Sequence, residues 1–431
     1  MTAHPDPPPN PDPRPQGERE SIPGQLEQLR TGIDQLLRSN LFYNERLHPV
    51  LSCEDFERLP LTTKDEIMAD QQAHPPFGSN LTFPIDHYTR LHQTSGTSGS
   101  RPLRWLDTPE SWEWWIRIWA DHVYRSAGVR ADDRVFFAFS FGPFIGFWSA
   151  FGGAERLGAM VIPGGAMTTE QRLRTMIELK ATVLCCTPTY AIRMAEAAQT
   201  AGINLAASDI RVTLHAGEPG ASVPATRDVI ERSFGARAFD HTGMTELGPT
   251  GVSCEARDGV HLIESEFVFE IRDDAGTVRR IPETGTASGE LIATNLGRWG
   301  SPLIRYRTGD RVVATRQPCA CGSPFAKMLG GIRGRVDDMF TVRGVNLYPS
   351  QVEDIVRRQP AIVEFSIEVR QVRGMEEVTI LCECTGGDGE ATVARLAKDL
   401  RLALGARIEC RLVATGTLPR AELKSRRLIR I

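Results

Sequence analysis

The sequence has 431 residues, enough for two or three domains, and 41% of them are hydrophobic, so a large core can be buried. The formal net charge of -4 and the absence of a basic stripe argue against a nucleic-acid binder. The first 20 residues are polar, and no apolar run reaches the ~20 residues that span a membrane. With nine scattered cysteines, this pattern predicts a cytoplasmic protein with reduced thiols and no membrane partner.

The N-terminal half is predicted to consist of layers of helices and parallel strands. Residues 1–20 are rich in proline and are predicted to be a disordered tail. Residues 24–47 have a helical pattern. From about 85 to 215, buried strands such as RVFFAFSF (134–141) and ATVLCCTP (181–188) alternate with amphipathic helices. Strands and helices that alternate at this pitch indicate an α/β fold with a parallel sheet.

The pattern changes in the C-terminal half. From 260 to 317 the strands are short and separated by turns, which predicts an antiparallel β subdomain. Residues 337–431 combine shorter strands and helices and are predicted to be a small α+β domain. We therefore expect a large N-terminal domain over 21–336, built of layered α/β subdomains and the antiparallel subdomain, followed by this small domain.

A glycine-rich loop, QTSGTSGSRP (93–102), predicts a site for an anionic group. Its glycines let backbone N–H groups approach phosphate oxygens, and its hydroxyl side chains add further donors. The loop lacks the lysine of G-x-x-x-x-G-K-[ST], which disfavours a P-loop kinase or GTPase. The alternative is a flexible glycine-serine loop without a ligand.

Three further motifs carry charged side chains. In FDHTGMTELGP (239–249), Glu246 can hold Mg²⁺, which takes oxygen ligands. In LIRYRTGD (303–310), Asp310 can accept the hydroxyls of a ribose, and LPRAELKSRR (418–427) contains Lys424. Each also has a simpler interpretation, namely a strand-to-loop turn for the first two and a solvated lysine for the third.

Together and in this order, the motifs resemble the adenylate-forming superfamily of acyl-CoA ligases, adenylation domains and luciferases, over roughly residues 40–431. LPLTTKDEI, LHQTSGTSGSRP, TPTYA and RGVNLYPSQVE are most similar to phenylacetate-CoA ligase and related aryl-acid ligases. The resemblance implies ATP-dependent activation of an aryl or arylacetic acid to acyl-AMP, with pyrophosphate released. Transfer to coenzyme A follows, or, as an alternative, transfer to a carrier-protein pantetheine or an amine. It also implies a possible homodimer.

The resemblance implies roles for individual residues. Glu246 would bind Mg²⁺, Thr245 would contact phosphate, and Lys424 would bridge the carboxylate and the α-phosphate. Asp337 would be the hinge of a mobile C-terminal domain, and Gly344 would border the coenzyme A tunnel. The implied ATP- and AMP-binding residues are Thr94, Ser95, Gly96, Thr97, Ser98, Gly99, Gly217, Glu218, Pro219, Asp240, His241, Thr242, Asp310 and Arg335.

The sequence departs from the family at the adenine site. Many relatives have a tyrosine that stacks on adenine where this chain has Thr242, so adenine packing must differ and is expected to use His241. The acid pocket is expected between FSFGPFIGF and LHAGEP, with Phe141, Phe144 and Ala216 as lining residues. An aromatic lining suits a flat aryl acid. The alternative is that both phenylalanines belong to the core.

Two pairs of soft ligands predict a structural zinc site. Cys254 and His261 lie in CEARDGVH, and Cys319 and Cys321 lie in CACG. A Cys₃His set fills a tetrahedral zinc site completely, although this spacing is not that of a standard zinc finger. Some relatives in the ligase branch carry the same pattern. The alternatives are thiols buried as small hydrophobes, or a zinc-containing nucleotide-binding protein without catalysis. The joint presence of Lys424, Glu246 and Asp310 argues against the latter.

Overall fold

The computed structural model describes residues 23–94, 102–342, 345–372, 375–386, 388–420 and 427–431. Some predicted features lie outside these residues. They are the tail at 1–20 and the site residues Ser95, Gly96, Thr97, Ser98, Gly99, Gly344 and Lys424.

The helices begin where the sequence supplies caps. Ser52, Thr63 and Thr168 each accept a hydrogen bond from the third helical residue in a capping box. Proline occupies the first position of several helices, where no N–H is needed. The helices are α1 (Pro23–Ser39), α2 (Cys53–Arg58), α3 (Lys64–Ala73), α4 (Pro109–Ile118), α5 (Trp148–Leu157), α6 (Thr169–Glu178), α7 (Pro188–Thr200), α8 (Pro224–Phe234), α9 (Pro349–Arg357) and α10 (Gly389–Leu404).

The strands form one large sheet and three smaller ones among the described residues. In chain order they are β1 (Arg90–Gln93), β2 (Arg104–Asp107), β3 (Arg134–Phe137), β4 (Met160–Pro163), β5 (Val183–Cys186), β6 (Val212–His215), β7 (Arg237–Met244), β8 (Gly248–Ser253), β9 (Val260–Leu262), β10 (Phe267–Arg272), β11 (Val278–Arg280), β12 (Thr286–Asn295), β13 (Tyr306–Thr315), β14 (Lys327–Met328), β15 (Gly334–Arg335), β16 (Phe340–Val342), β17 (Val345–Leu347), β18 (Ile362–Val372), β19 (Met375–Cys384), β20 (Glu409–Val413) and β21 (Leu428–Arg430).

The large sheet joins the two predicted subdomains through β7. Strands β4, β3, β5, β6 and β7 are neighbours in that order and pair in parallel. On its other edge, β7 pairs with β8 in antiparallel, and the order continues through β9, β14, β13, β12, β10 and β11. The α/β layers and the antiparallel region are both present, as predicted, and they share one continuous sheet.

Side chains along the parallel strands alternate between two cores. Phe137, Cys185 and Leu214 pack in one cluster, whereas Phe136 and Leu184 pack in a second cluster on the opposite face. Successive residues of a strand point to opposite faces of the sheet, so both faces are covered by helices, as in other parallel sheets.

The C-terminal part has its own sheet and core. Strands β18 and β19 pair in antiparallel, and β21 and β20 add to them in parallel. Buried side chains from Phe340 to Ile408 form a separate hydrophobic cluster. The α+β character predicted for this region is therefore present, and the exact boundary between residues 336 and 337 stays a prediction. Among the described residues, no helix is long and apolar enough to cross a membrane.

Candidate active site at the carboxyl edge of the sheet

The turn between β7 and β8 carries Thr245 and Glu246, both of which are buried. A buried arginine holds the backbone of this turn through hydrogen bonds. The Arg298 guanidinium donates to the carbonyl oxygens of Thr245 and Glu246 at 2.7 and 2.8 Å. Its Nε and Nη2 donate to both oxygens of Asp107 at 2.7 and 2.9 Å. Five N–H donors in a planar fork suit arginine to this position, and the guanidinium fixes the backbone of the turn.

Asp310 and Arg335 lie together on adjacent strands. Asp310 is on β13 and pairs in register with Arg335 on β15, and Nη1 of Arg335 lies 3.4 Å from Oδ1 of Asp310. Burial is the main cause that raises the pKa of Tyr306, and the nearby Glu246 and Asp310 carboxylates raise it further. Tyr306 therefore lies close enough to both the Glu246 turn and the Asp310–Arg335 pair for their charges to act on it.

The predicted hinge residue adjoins this pair. Nε of Arg335 donates to Oδ1 of Asp337 at 3.1 Å, and Asp337 is exposed at the start of the C-terminal part. Gly309, with φ +73°, leaves room for Arg335, because a Cβ there would lie 2.8 Å from Nη2. Arg335 thus contacts both Asp310, which is expected to bind the ribose, and Asp337, which is expected to be the hinge.

The glycine-rich loop begins from a short hairpin of β1 and β2. At its neck, the Thr94 N–H donates to the Leu103 carbonyl at 2.9 Å, and the Thr94 hydroxyl accepts from the Leu103 N–H at 3.0 Å. Thr94 and Leu103, on either side of residues 95–101, are therefore hydrogen-bonded neighbours. The structure places this neck on the same chain segment that supplies Asp107, the partner of Arg298.

The loop after β6 carries Gly217, Glu218 and Pro219. Gly217 has φ +97°, a conformation that L side chains rarely adopt. The Glu218 carboxylate accepts from the Thr189 N–H in the first turn of α7 at 3.0 Å. Further along, the Ser222 N–H and hydroxyl both donate to Asp240. Burial raises the pKa of Asp240 to about 7, although these hydrogen bonds act to lower it.

His241 and Asp240 point to opposite faces of β7, because they are consecutive strand residues. His241 packs against Trp119, with ring centroids 4.3 Å apart, and its Nδ1 lies 2.9 Å from the Gly251 carbonyl oxygen. Asp240 faces Ser222 instead. Thr242 is buried, and its hydroxyl lies 3.2 Å from that of Thr250. Asp240 and His241, which were both expected to bind the nucleotide, therefore lie on opposite faces of β7.

The residues expected in the acid pocket lie at the margin of one aromatic cluster. Phe141, Phe144 and Ala216 are each partly buried and pack against the same core. The Phe144 ring lies 5.5 Å from Phe139, and the Phe141 ring lies 4.7 Å from the exposed Trp148. Partial burial agrees with either a pocket wall or a core edge, so the pocket assignment stays a prediction.

The four predicted zinc ligands converge. The ligand atoms of Cys254, His261, Cys319 and Cys321 all lie within 4.8 Å of one another. Two of the pairs are Cys254 Sγ to Cys319 Sγ at 3.6 Å and Cys321 Sγ to His261 Nε2 at 3.3 Å. Ligands of a tetrahedral zinc with Zn–S bonds of about 2.3 Å lie about 3.8 Å apart, which is close to these distances.

The histidine of this group is oriented for metal binding. His261 Nδ1 lies 3.2 Å from the Phe325 carbonyl oxygen, and Nε2 is directed toward the cysteines. Burial lowers the pKa of His261, which favours the neutral ring that a metal requires. The donor set and its spacing therefore fit zinc.

Sequence reasoning missed two features of the site. Arg298 and Asp107 lie in no recognisable motif, and they meet only because distant parts of the chain pack together. Trp119 begins a π-helical turn (Trp119–Tyr124) that continues α4. Such turns occur frequently at functional sites, and no motif in this tryptophan-rich stretch pointed to the site.

Comparisons with known proteins agree on one family. The family described as the AMP-binding enzyme C-terminal domain matches residues 344–430. Phenylacetate-coenzyme A ligase from Pseudomonas putida is 30% identical over 422 residues, covering 93% of this chain and 92% of that protein. The phenylacetate-coenzyme A ligase of Thermus thermophilus is 32% identical over 337 residues, covering 77% and 72%.

One solved enzyme is similar in two states. 2-Hydroxyisobutyryl-CoA ligase in the postadenylation state with R3-HIB-AMP matches with a TM-score of 0.88 and 29% identity, over 94% of this chain and 88% of that one. In the thioesterification state with 2-HIB-AMP and CoA, the TM-score is 0.70 at 30% identity, over 94% and 89%. This structure therefore resembles the postadenylation arrangement more closely.

Proposed function

The chain belongs to the phenylacetate-coenzyme A ligase family of AMP-forming acid–CoA ligases, and from this premise we propose the reaction and the residues that carry it. A carboxylate oxygen of an aryl or arylacetic acid attacks the α-phosphate of ATP, and pyrophosphate leaves. The coenzyme A thiol then loses its proton and attacks the acyl carbon, and AMP leaves. The observation that carries this proposal is that Glu246, Asp310 and Arg335 all lie near enough to Tyr306 to shift its pKa, with Asp310 paired to Arg335 on the next strand.

The first step brings two anions together, so the site must offset their charge. Glu246 provides an oxygen ligand for Mg²⁺, which would neutralise charge on the ATP phosphates. Thr245 contacts phosphate beside it, and residues 94–99 enclose the phosphates from the β1–β2 hairpin. Lys424 donates to both the carboxylate and the α-phosphate. Arg298 is a positioning residue, because it holds the Thr245 and Glu246 backbone without reaching the ligand.

The nucleoside is bound on the other side of this turn. The Asp310 carboxylate accepts both ribose hydroxyls, with Arg335 as its neighbour at 3.4 Å. Residues 217–219 line the nucleoside pocket, where the positive φ of Gly217 exposes backbone groups. Asp240, which faces Ser222 behind this loop, supports the same side.

We propose coenzyme A as the acceptor, with the C-terminal part turning about Asp337 between the two steps and Gly344 beside the pantetheine arm. The support is that 2-hydroxyisobutyryl-CoA ligase has separate postadenylation and thioesterification structures, which this chain matches unequally. We also propose a structural zinc at Cys254, His261, Cys319 and Cys321. Four protein ligands leave no position for a reacting water.

The experiment separates the two half-reactions. Lys424→Ala is expected to abolish pyrophosphate release from acid and ATP, because no cation then offsets the two anions. Thioester formation from supplied acyl-AMP and coenzyme A is expected to continue largely unchanged. Lys398→Ala, on the exposed face of α10, is the control and should retain both. Equal loss of both half-reactions in Lys424→Ala would overturn the assigned role.

A further inference from the structure

His241 is a buried side chain, and one of its ring nitrogens has no hydrogen-bond partner among the described residues. It is 7% exposed, and burial lowers its pKa to about 4, so the ring is neutral at pH 7. The neutral ring has one N–H, and Nδ1 uses it to donate to the Gly251 carbonyl at 2.9 Å. Nε2 is consequently an acceptor. In the part of the chain that the structure describes, the Gly251 carbonyl is the one hydrogen-bond partner of this ring.

Nε2 faces an opening at Gly243. A Cβ built on Gly243 would lie 3.1 Å from this nitrogen, and Gly243 is itself exposed. Glycine at this position therefore leaves Nε2 without a side chain over it at the end of β7, next to the turn that carries Glu246. An acceptor that faces such an opening can be paired by water, and a ligand that displaces the water without donating to Nε2 loses that hydrogen bond.

The face of β7 on which His241 lies decides which ligand it meets. Phe239, two residues earlier, belongs to the aromatic core, whereas Ala238 belongs to the opposite one. From His241 a series of ring contacts runs through Trp119 and Phe147. It continues through Phe139 to Phe144, which is expected to line the acid pocket.

The opposite face of β7 serves the nucleoside. Asp240 is directed to Ser222, behind the loop at 217–219. The expectation that His241 packs on adenine is therefore disfavoured by strand geometry, since the ring is directed toward the aromatic core and Asp240 toward the nucleoside loop.

Resting on the proposed function, we propose that His241 Nε2 selects the acid by accepting a hydrogen bond from a hydroxyl or amino substituent on it. The substrate class is then a hydroxylated or aminated aryl or arylacetic acid, whose ring packs among the phenylalanines. Binding an acid without that donor leaves Nε2 buried and unpaired, and sites built to hydrogen-bond a substrate group discriminate strongly against analogues that lack it.

The test compares matched acids on the wild-type enzyme. Phenylacetic acid, its three ring-methylated isomers and the corresponding hydroxy and amino isomers are assayed for kcat/KM by pyrophosphate release. The same set is run on benzoic acids. At least one hydroxy or amino isomer is expected to exceed its methyl counterpart by about tenfold or more.

Two variants assign the preference to His241. His241→Leu keeps similar volume but has no acceptor, and the ratio of donor-bearing to methylated acid is expected to fall toward one. His241→Gln, whose side-chain oxygen can reach the position of Nε2, is expected to keep part of the ratio. Thermal unfolding of both variants checks that they are folded.

The outcomes separate this inference from the proposed function. Wild-type activity that is equal for methylated and donor-bearing acids would overturn the inference and leave the ligase assignment intact. A His241→Leu variant whose KM for ATP rises equally with every acid would instead assign His241 to adenine. If the wild type activates no acid in the presence of ATP and Mg²⁺, both the proposed function and the inference fall.

Discussion

Among single residues, Arg298 matters most to the geometry of the site without touching a ligand. Its side chain and that of Asp107 are completely buried, and the guanidinium lies between Trp105 and Trp115. Removing one partner of a buried pair leaves an uncompensated charge. We therefore predict that Arg298→Met lowers the free energy of unfolding by about 3–5 kcal/mol, measured by urea denaturation, and reduces adenylation through loss of the Glu246 turn.

The matched control is an exposed arginine in an ion pair. Arg156 pairs with Glu113, and both side chains are about half exposed. Arg156→Met should change the free energy of unfolding by less than about 1 kcal/mol. A comparable loss in both variants would mean that burial does not set the contribution of Arg298.

Glu266 provides a prediction about pH. Burial opposes its ionisation, but the His122 ring 3.8 Å away and hydrogen bonds from Arg117 and Trp114 lower its pKa to about 2 from the usual 4.5. A carboxylate whose pKa is lowered in the folded state contributes its full stabilisation at pH values above its pKa in the unfolded state. That contribution is lost as the pH falls toward the folded-state pKa. We predict a loss of about 3 kcal/mol between pH 5 and pH 2.

Glu266→Gln isolates this contribution. The difference in unfolding free energy between wild type and Glu266→Gln should shrink as pH falls through that window. A difference that stays constant from pH 6 to pH 2.5 would contradict the lowered pKa.

The residues of the short motifs could be predicted from the sequence, whereas the residues that hold them in place could not. Glu246 and Asp310 stand in short local patterns whose chemistry can be read directly. The face of His241 depends on strand register, which a one-residue shift reverses. The pairing of Arg298 with Asp107 spans 191 residues, and no local signal reports such a contact.

Among the elements, β7 is the one whose role the sequence did not reveal. Its residues were assigned to a strand end and a turn, and the antiparallel region was expected as a separate subdomain. In the structure β7 pairs in parallel on one edge and in antiparallel on the other. Strand neighbours are set by long-range packing, whereas periodicity reports only that a strand exists.

The proposed zinc site would connect elements that otherwise share little pairing. Cys254 follows β8, His261 lies on β9, and Cys319 and Cys321 precede β14, which pairs with β9 through only two residues. We predict about one zinc per chain by elemental analysis, and loss of that zinc in Cys319→Ser with a lower melting temperature. Cys384→Ser, in β19, should keep the metal. A stably folded, metal-free wild type would contradict the site.

For the whole molecule, contacts between the N- and C-terminal parts hold the observed arrangement. Helix α8 has no side-chain cap of its own, and the Ala225 N–H in its first turn donates to Asp354 on α9 at 3.1 Å. Loss of a helix cap costs about 1 kcal/mol. If the arrangement serves adenylation, Asp354→Ala should slow pyrophosphate release about fivefold and spare thioester formation from supplied acyl-AMP.

Asp388 offers the control, because it caps α10 within the C-terminal part. Asp388→Ala should destabilise that part by a similar amount without favouring either half-reaction. Equal effects of the two variants on both half-reactions would mean that Asp354 contributes only stability.

The central claim is that this chain couples ATP cleavage to AMP with formation of an acyl-CoA thioester. The most direct measurement follows pyrophosphate, AMP and the thioester together, by enzymatic assay and mass spectrometry, across aryl and arylacetic acids with and without coenzyme A. Pyrophosphate release is expected to depend on the acid, and AMP and thioester are expected in equal amounts when coenzyme A is present. Release of ADP and phosphate, or acyl-AMP that coenzyme A never converts to thioester, would contradict the claim.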